Sequence, residues 1–153
     1  MTTTLTLDLA STTGWAIRHQ GHIESGTWDI TPRRGDSPGM RYVNLRTRLN
    51  TMLVAFPDLR IVYYEQAHHR GGAATEYAIG CITLVQAWCA EHGIEHGARH
   101  TATIKRSATG KGNAGKGEVI EAMRRAGHKP ADDNEADALA LMYLVVSEMG
   151  CLS

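Results

Sequence analysis

The order in which strand-like and helix-like hydrophobic patterns follow one another limits most strongly which folds this chain can adopt. Residues 4–9 alternate between apolar and polar side chains. Residues 15–19 and 23–30 are rich in strand-forming residues, with Gln20 and Gly21 between them. Residues 11–14 are typical of a turn. The N-terminal part of the chain is therefore predicted to form three successive antiparallel strands.

Helix and strand patterns alternate after this point. The pattern predicts a helix from residue 41 to Pro57, a strand over 61–65, a long helix over 75–92, a strand over 94–98, and helices over 101–108, 118–126 and 132–149. A buried strand that follows a helix pairs in parallel with an earlier strand. Residues 1–153 are thus predicted to form one α/β domain, with a mixed sheet and helices on both faces.

Two of the predicted helices begin with residues that are common at helix starts. Thr101 is predicted to be the N-cap of the helix over 101–108. Asp132 and Glu135 have the spacing of a capping box at the start of the last helix. We therefore expect both helices to begin at these residues.

The distribution of charge carries more information than its sum. The chain has sixteen Lys and Arg and sixteen Asp and Glu, so that its formal net charge is zero. Eight of the basic residues lie between Arg99 and Lys129, where only Glu118 and Glu121 are acidic. A second basic group consists of Arg33, Arg34, Arg41, Arg46 and Arg48. Segregation of this kind produces either a cationic face for phosphates or a solvated basic surface.

Cysteine usage and hydropathy indicate the compartment. The three cysteines are odd in number and show no CxxC spacing, which is typical of free thiols in a reducing cytosol. No apolar run approaches the roughly 20 residues that span a bilayer, and residues 1–5 show no signal-peptide pattern. The eight histidines lack zinc-finger spacing. We therefore expect a cytoplasmic protein without a structural zinc site.

Three acidic residues lie inside or beside apolar segments. Asp8 interrupts the first strand, Glu65 ends the fourth, and Asp137 lies near the start of the last helix. Taken singly, each has an ordinary explanation: an edge or turn residue, the end of a strand, and a favourable helix-dipole position. Burying three carboxylates together is expensive unless a cation compensates. Jointly they indicate a site for a hard divalent cation such as Mg²⁺.

A basic, glycine-rich segment occupies residues 109–117. Its glycines allow backbone N–H groups to approach phosphates, and its lysines neutralise them. Gly110, Gly115 and Lys116 have the spacing of a P-loop, but Gly117 replaces the hydroxyl residue that would hold Mg²⁺. The segment is therefore either a phosphate-contacting loop or a flexible surface loop, and is not a nucleotide P-loop.

Four segments resemble, in order and spacing, the motifs of the RuvC family of Holliday-junction resolvases, including its phage-type members. They are residues 7–16 (LDLASTTGWA), 64–66 (YEQ), 104–119 (IKRSATGKGNAGKGEV) and 133–141 (DNEADALAL). Together they span nearly the whole chain. The resemblance implies a ribonuclease H-like fold with a five-stranded mixed sheet. It also implies a cytoplasmic location in a bacterium or, for a phage-encoded protein, in the host.

The resemblance also implies the roles of individual residues. Asp8, Glu65 and Asp137 match catalytic acids that hold two Mg²⁺ ions, with Mn²⁺ as a substitute. The family's fourth ligand position is Asn134 here, and Asp133 lies beside it, so that the fourth ligand is either of these or a water between them. The resemblance assigns DNA contacts to Lys105, Arg106, Lys111 and Lys116. It also places His68 and His69 where the family often has a bulky aromatic residue, and a histidine there would stack on a base.

The activity implied is that of a Mg²⁺-dependent endonuclease, acting in recombination and repair, that resolves four-way DNA junctions by paired nicks. Paired nicks imply a homodimer, for which the helix over 75–92 is a candidate interface, unless this helix lies wholly in the core. The alternatives are a nuclease of the same fold acting on flaps, other branched DNA or RNA hybrids, and a non-catalytic DNA-binding module. An ATP-binding protein of the actin and Hsp70 type needs two domains, and this chain has room for one.

Overall fold

The structure is a computed structural model that describes residues 2–68 and 71–150. Its strands are β1 (Thr3–Asp8), β2 (Thr12–His19), β3 (His22–Asp29), β4 (Leu59–Glu65) and β5 (Glu95–Arg99). Its helices are α1 (Met40–Ala55), α2 (Ala73–His92), α3 (Thr101–Thr109), α4 (Lys116–Arg125) and α5 (Asp133–Gly150). None of the helices in the described part of the chain is long and apolar enough to cross a membrane.

The strands form one five-stranded sheet in the order β3-β2-β1-β4-β5. The first three strands pair antiparallel, whereas β4 pairs in parallel with both β1 and β5. The predicted meander and the parallel strand after the first helix are both confirmed. One prediction is wrong: β2 begins at Thr12, inside the predicted turn, because Thr12 and Thr13 pair with Asp29 and Trp28 of β3.

Helices cover both faces of the sheet, as predicted. One hydrophobic core joins the sheet to α1 and α2, and a second joins it to α3, α4 and α5. Strand β1 lies between them: Leu5 and Leu7 are wholly buried in the first core, and Thr6 is wholly buried facing α5. The Thr6 hydroxyl donates to the carbonyl oxygen of Ala138 at 2.7 Å, so its burial leaves no polar group unpaired. An alternating pattern thus forms a strand that is buried on both faces.

The N-terminal end of α5 packs directly on β2. A Cβ atom at Gly14 would overlap the carbonyl oxygen of Asn134, so this contact requires glycine. The Asp132 carboxylate accepts the Glu135 N–H at 2.9 Å, which confirms the Asp132 half of the predicted capping box. Glu135 accepts the Ala131 N–H at 3.0 Å and the Ser25 hydroxyl at 2.6 Å. These contacts fix the first turns of α5 against the sheet.

The predicted N-cap of α3 is wrong by one residue. His100 is the N-cap, with an extended backbone and no side-chain capping bond, and Thr101 is already helical. The first helical bond of α3 runs from the Ile104 N–H to the His100 carbonyl at 3.1 Å. The Thr101 hydroxyl points instead to an acceptor on a neighbouring strand, which is described below.

Candidate metal centre and nucleic-acid interface

Three carboxylates from three different elements meet at one edge of the sheet. Asp8 ends β1 and Glu65 ends β4, and because these strands are parallel their carboxyl ends lie side by side. Asp137 lies near the N-terminus of α5, which packs across β1 and β2 at the same edge. One oxygen from each of the three carboxylates lies within 4.8 Å of the others. The structure therefore brings together all three acids that the sequence singled out.

Burial and mutual repulsion make this cluster difficult to ionise. Burial raises the pKa of Asp8 well above its ordinary value, and the charges of Asp137 and Glu65 raise it further. Burial raises the pKa of Asp137 to about 7, helped by Glu65 and Asp133 and opposed by Lys105 and Lys116. Without a compensating cation, full ionisation of the cluster costs free energy.

The donor set fits a divalent cation. All three groups offer carboxylate oxygen, the donor that Mg²⁺ and Mn²⁺ prefer. Two oxygens on opposite sides of a Mg²⁺ ion lie about 4 Å apart, given metal–oxygen distances of about 2.1 Å. The observed 4.8 Å limit is therefore within reach of shared coordination after small side-chain movements. A bound cation would also offset the repulsion that raises the pKa of Asp8 and Asp137.

Both predicted fourth ligands lie at the start of α5, and Asp133 is not part of the three-acid group found among the described residues. Asp133 lies close enough to raise the pKa of Asp8 and Asp137. Its Oδ2 atom also pairs with Lys116 Nζ at 3.3 Å. Asn134 contacts Gly14 through its backbone carbonyl. The choice between Asp133 and Asn134 stays a prediction.

The predicted DNA-contacting residues of α3 and the glycine loop border the acid cluster. Lys105 and Lys116 are near enough to Asp137 to oppose the rise of its pKa. Lys111 is exposed and pairs with Glu118 at 3.8 Å. The Arg106 guanidinium lies against Gly112 in the loop. A phosphate held by Lys105 and Lys116 would thus lie next to the carboxylates.

Glu65 has two neighbours that the acid pattern alone does not indicate. The Thr101 hydroxyl donates to Glu65 Oε1, and His68 Nε2 lies 2.7 Å from Thr101 Oγ1 and 3.6 Å from Glu65 Oε1. The sequence pattern predicts Thr101 only as a helix N-cap. The signal that would have found it is the parallel pairing of β4 with β5, which places the residues just after β5 beside Glu65. His69 lies outside the described residues.

Two cavities lie at this edge of the sheet. A cavity of about 160 Å³ is lined by Asp8, Leu9, Glu65, Gln66, Ala67, His68, Ala78 and Ile82. A wider cleft of about 580 Å³ lies beyond the end of β3, and its lining includes Arg33 and Arg48 of the second basic group. Because β3 runs parallel to β1, this cleft opens at the same edge as the acids. Residues of the second basic group therefore lie at the same edge of the sheet as the candidate metal centre, together with Asp29 and Asp36 of the cleft.

The sheet order and the acid cluster define a mixed α/β fold with a candidate divalent-metal centre. The Thermus thermophilus RuvC structure matches with a TM-score of 0.74 at 20% identity, over 97% of this chain and 96% of that chain. T. thermophilus RuvC in complex with a Holliday junction substrate matches with a TM-score of 0.78 at 19% identity, over 98% and 97% of the two chains. No protein-family model matches the chain, and no curated protein sequence matches it. The predicted ribonuclease H-like fold and the likeness to RuvC are confirmed.

Proposed function

We propose that this chain is a metal-dependent endonuclease that resolves four-way DNA junctions. The observation that carries the proposal is the approach of Asp8, Glu65 and Asp137 to within 4.8 Å at the carboxyl edge of the sheet. It is supported by the likeness, over nearly the whole chain, to a RuvC structure in complex with a Holliday junction substrate. Neither the basic face nor the fold alone distinguishes a nuclease from a DNA-binding module.

The reaction proposed is hydrolysis of a phosphodiester bond with two divalent cations. Such ions lower the pKa of an attacking water and stabilise the leaving 3′ oxygen. In this chain Asp8, which ends the middle strand of the sheet, would be the central ligand of these cations. Glu65 and Asp137 would complete the site, since each offers a carboxylate oxygen within 4.8 Å of the other two acids.

The chemistry needs no covalent intermediate on the protein. Cys81 and Cys89 are buried, and burial raises the pKa of both thiols, that of Cys89 to about 12. A thiol with a raised pKa carries little thiolate at neutral pH and is a poor nucleophile. Neither of these thiols is therefore a candidate nucleophile, and the attacking group in this proposal is water.

DNA is held by the basic residues around the acids. Lys105 and Lys116 contact the phosphates next to the cleaved bond, and Arg106 and Lys111 extend the contact along the backbone. His68 lies at the mouth of the acid cavity, with its side chain 58% exposed, and remains available to contact DNA from one side. The interaction is largely with phosphates, so we expect strong salt dependence.

The proposed active form is a homodimer, because a four-way junction has near two-fold symmetry and needs two nicks. In α2, Cys81, Val85, Trp88 and Cys89 are buried in the core. Ile79, Thr83 and Ala87 form an exposed stripe at intervals of four residues on another side, and Ile79 is 43% exposed. The helix is therefore not wholly a core helix, and this stripe is the candidate interface.

Incubation with four-way junctions, flaps and linear duplex, with and without Mg²⁺, followed by mapping of the products, tests this proposal. Paired, symmetric nicks in junctions that require Mg²⁺ are the expected result. Preferential cutting of flaps would assign the chain to the same fold with another substrate. Junction binding without cutting in Mg²⁺ or Mn²⁺ would instead favour a non-catalytic DNA-binding module.

A further inference from the structure

The carboxylate of Glu65 lies at the end of two consecutive hydrogen bonds, which run from His68 through Thr101. The Thr101 hydroxyl donates to Glu65 Oε1. His68 Nε2 lies 2.7 Å from Thr101 Oγ1, at hydrogen-bond distance. The contacts join two parts of the fold, because Glu65 and His68 lie at and just after the end of β4, whereas Thr101 begins α3.

The register of the two last strands produces this arrangement. Glu65 pairs with Arg99, and the Gln66 N–H donates to the Arg99 carbonyl at 2.9 Å, so that β4 and β5 stay paired to their ends. Thr101 follows Arg99 by two residues and is the first residue of α3. Because His100 occupies the N-cap position, the Thr101 hydroxyl is not used for capping and is directed at Glu65.

The geometry points to Thr101 as a positioning residue for Glu65, with His68 as the residue that supports Thr101. A threonine hydroxyl has one proton, and here it is donated to Glu65. The oxygen must therefore accept from His68, which carries its proton on Nε2 in this arrangement. Both hydrogen bonds then point towards the carboxylate.

Such support matters because the Glu65 side chain is 22% exposed and offers an oxygen within 4.8 Å of the Asp8 and Asp137 carboxylates. A carboxylate without these contacts is free to rotate towards solvent. The bond from Thr101 restrains rotation of the carboxylate before a cation is present. Groups that orient a metal ligand typically change metal affinity by about 10- to 100-fold when they are removed. This inference rests on the proposed function, since it treats Glu65 as a cation ligand.

Two matched pairs of variants test the inference. Thr101→Val keeps the shape of the side chain and removes the hydroxyl, whereas Thr101→Ser keeps the hydroxyl. His68→Gln keeps an N–H donor at a similar reach, whereas His68→Ala removes it. Mn²⁺ binding to each protein without DNA is measured by electron paramagnetic resonance of the free ion. We expect Thr101→Val to bind Mn²⁺ on the order of 10- to 100-fold more weakly. Thr101→Ser and His68→Gln should stay close to the parent, and His68→Ala should lose affinity.

Kinetics separate positioning from a general structural role. Cleavage by Thr101→Val should show a lower kcat at low Mn²⁺ that recovers at high Mn²⁺, with an unchanged KM for DNA. Equal loss in Thr101→Val and Thr101→Ser, or parental Mn²⁺ affinity in Thr101→Val, would overturn the inference. If Thr101→Val does not fold, the His68 pair decides alone, because His68 is largely exposed. A parent protein that binds no Mn²⁺ would refute the proposed function itself, which is a different result.

Discussion

Replacing Asp137 by Asn should stabilise the metal-free protein, although Asp137 belongs to the proposed active site. In the folded chain the pKa of Asp137 is raised from 3.8 to about 7, first by burial and then by Glu65 and Asp133. The folded state therefore binds a proton that the unfolded state has already lost, and the stability falls as pH rises between these two values. Above pH 7 Asp137 is ionised in the folded state as well, and the free energy of unfolding is lowered by the full cost of burying this charge.

The magnitude follows from the shift of the pKa. A difference of about three pKa units corresponds to about 4 kcal/mol at 1.36 kcal/mol per unit, which is an upper limit for the effect. Asn resembles a protonated Asp in shape and carries no charge. We expect Asp137→Asn to be more stable than the parent at pH 8 by up to about 4 kcal/mol. The gain should shrink by about 1.4 kcal/mol per pH unit below pH 7.

Urea unfolding in EDTA at several pH values measures the effect. Glu121→Gln is the matched control, because Glu121 is exposed and forms no ion pair within the described part of the chain. Adding Mg²⁺ should stabilise the parent by about 2.7 kcal/mol at a hundredfold excess over Kd, and Asp137→Asn much less. An Asp137→Asn protein that is no more stable than the parent at pH 8, or whose gain in stability does not depend on pH, would contradict this prediction.

The other predictions concern catalysis, DNA binding, packing and assembly. Asp8→Asn should abolish cleavage and keep DNA binding, and parental cleavage rates would disprove the metal assignment. Replacing Lys105 and Lys116 by Ala should reduce the slope of log K against log salt by about 0.9 for each lost phosphate contact. An unchanged salt slope would mean that DNA binds at a surface other than that of Lys105 and Lys116. Gly14→Ala should destabilise the fold by at least about 1–3 kcal/mol in thermal unfolding because its Cβ overlaps α5. Gly117→Ala is the control and should not destabilise the fold, because a Cβ atom at Gly117 would meet open space. Sedimentation at micromolar concentration should show a dimer, and a monomer that still makes paired nicks would contradict the assembly proposed.

The sequence by itself determined most of the fold, because its local patterns agree with the final structure. The alternation in β1, the helical spacing of α1 and the apolar strand β4 each depend on neighbouring residues only. The three acids Asp8, Glu65 and Asp137 could be found in the same way, since a carboxylate inside an apolar segment is conspicuous. Their order along the chain, together with the motif likeness, was enough to predict that they meet.

Only the tertiary structure decided the contacts between residues that are distant in sequence. Thr6 is buried because α5 supplies an acceptor for its hydroxyl, which periodicity cannot show. Thr101 is a neighbour of Glu65, and not an N-cap, because the register of β4 and β5 brings two strand ends together. The pairing of Lys116 with Asp133 likewise depends on how α4 and α5 pack. Local patterns fix which elements form, whereas register and packing angle fix which side chains face one another across them.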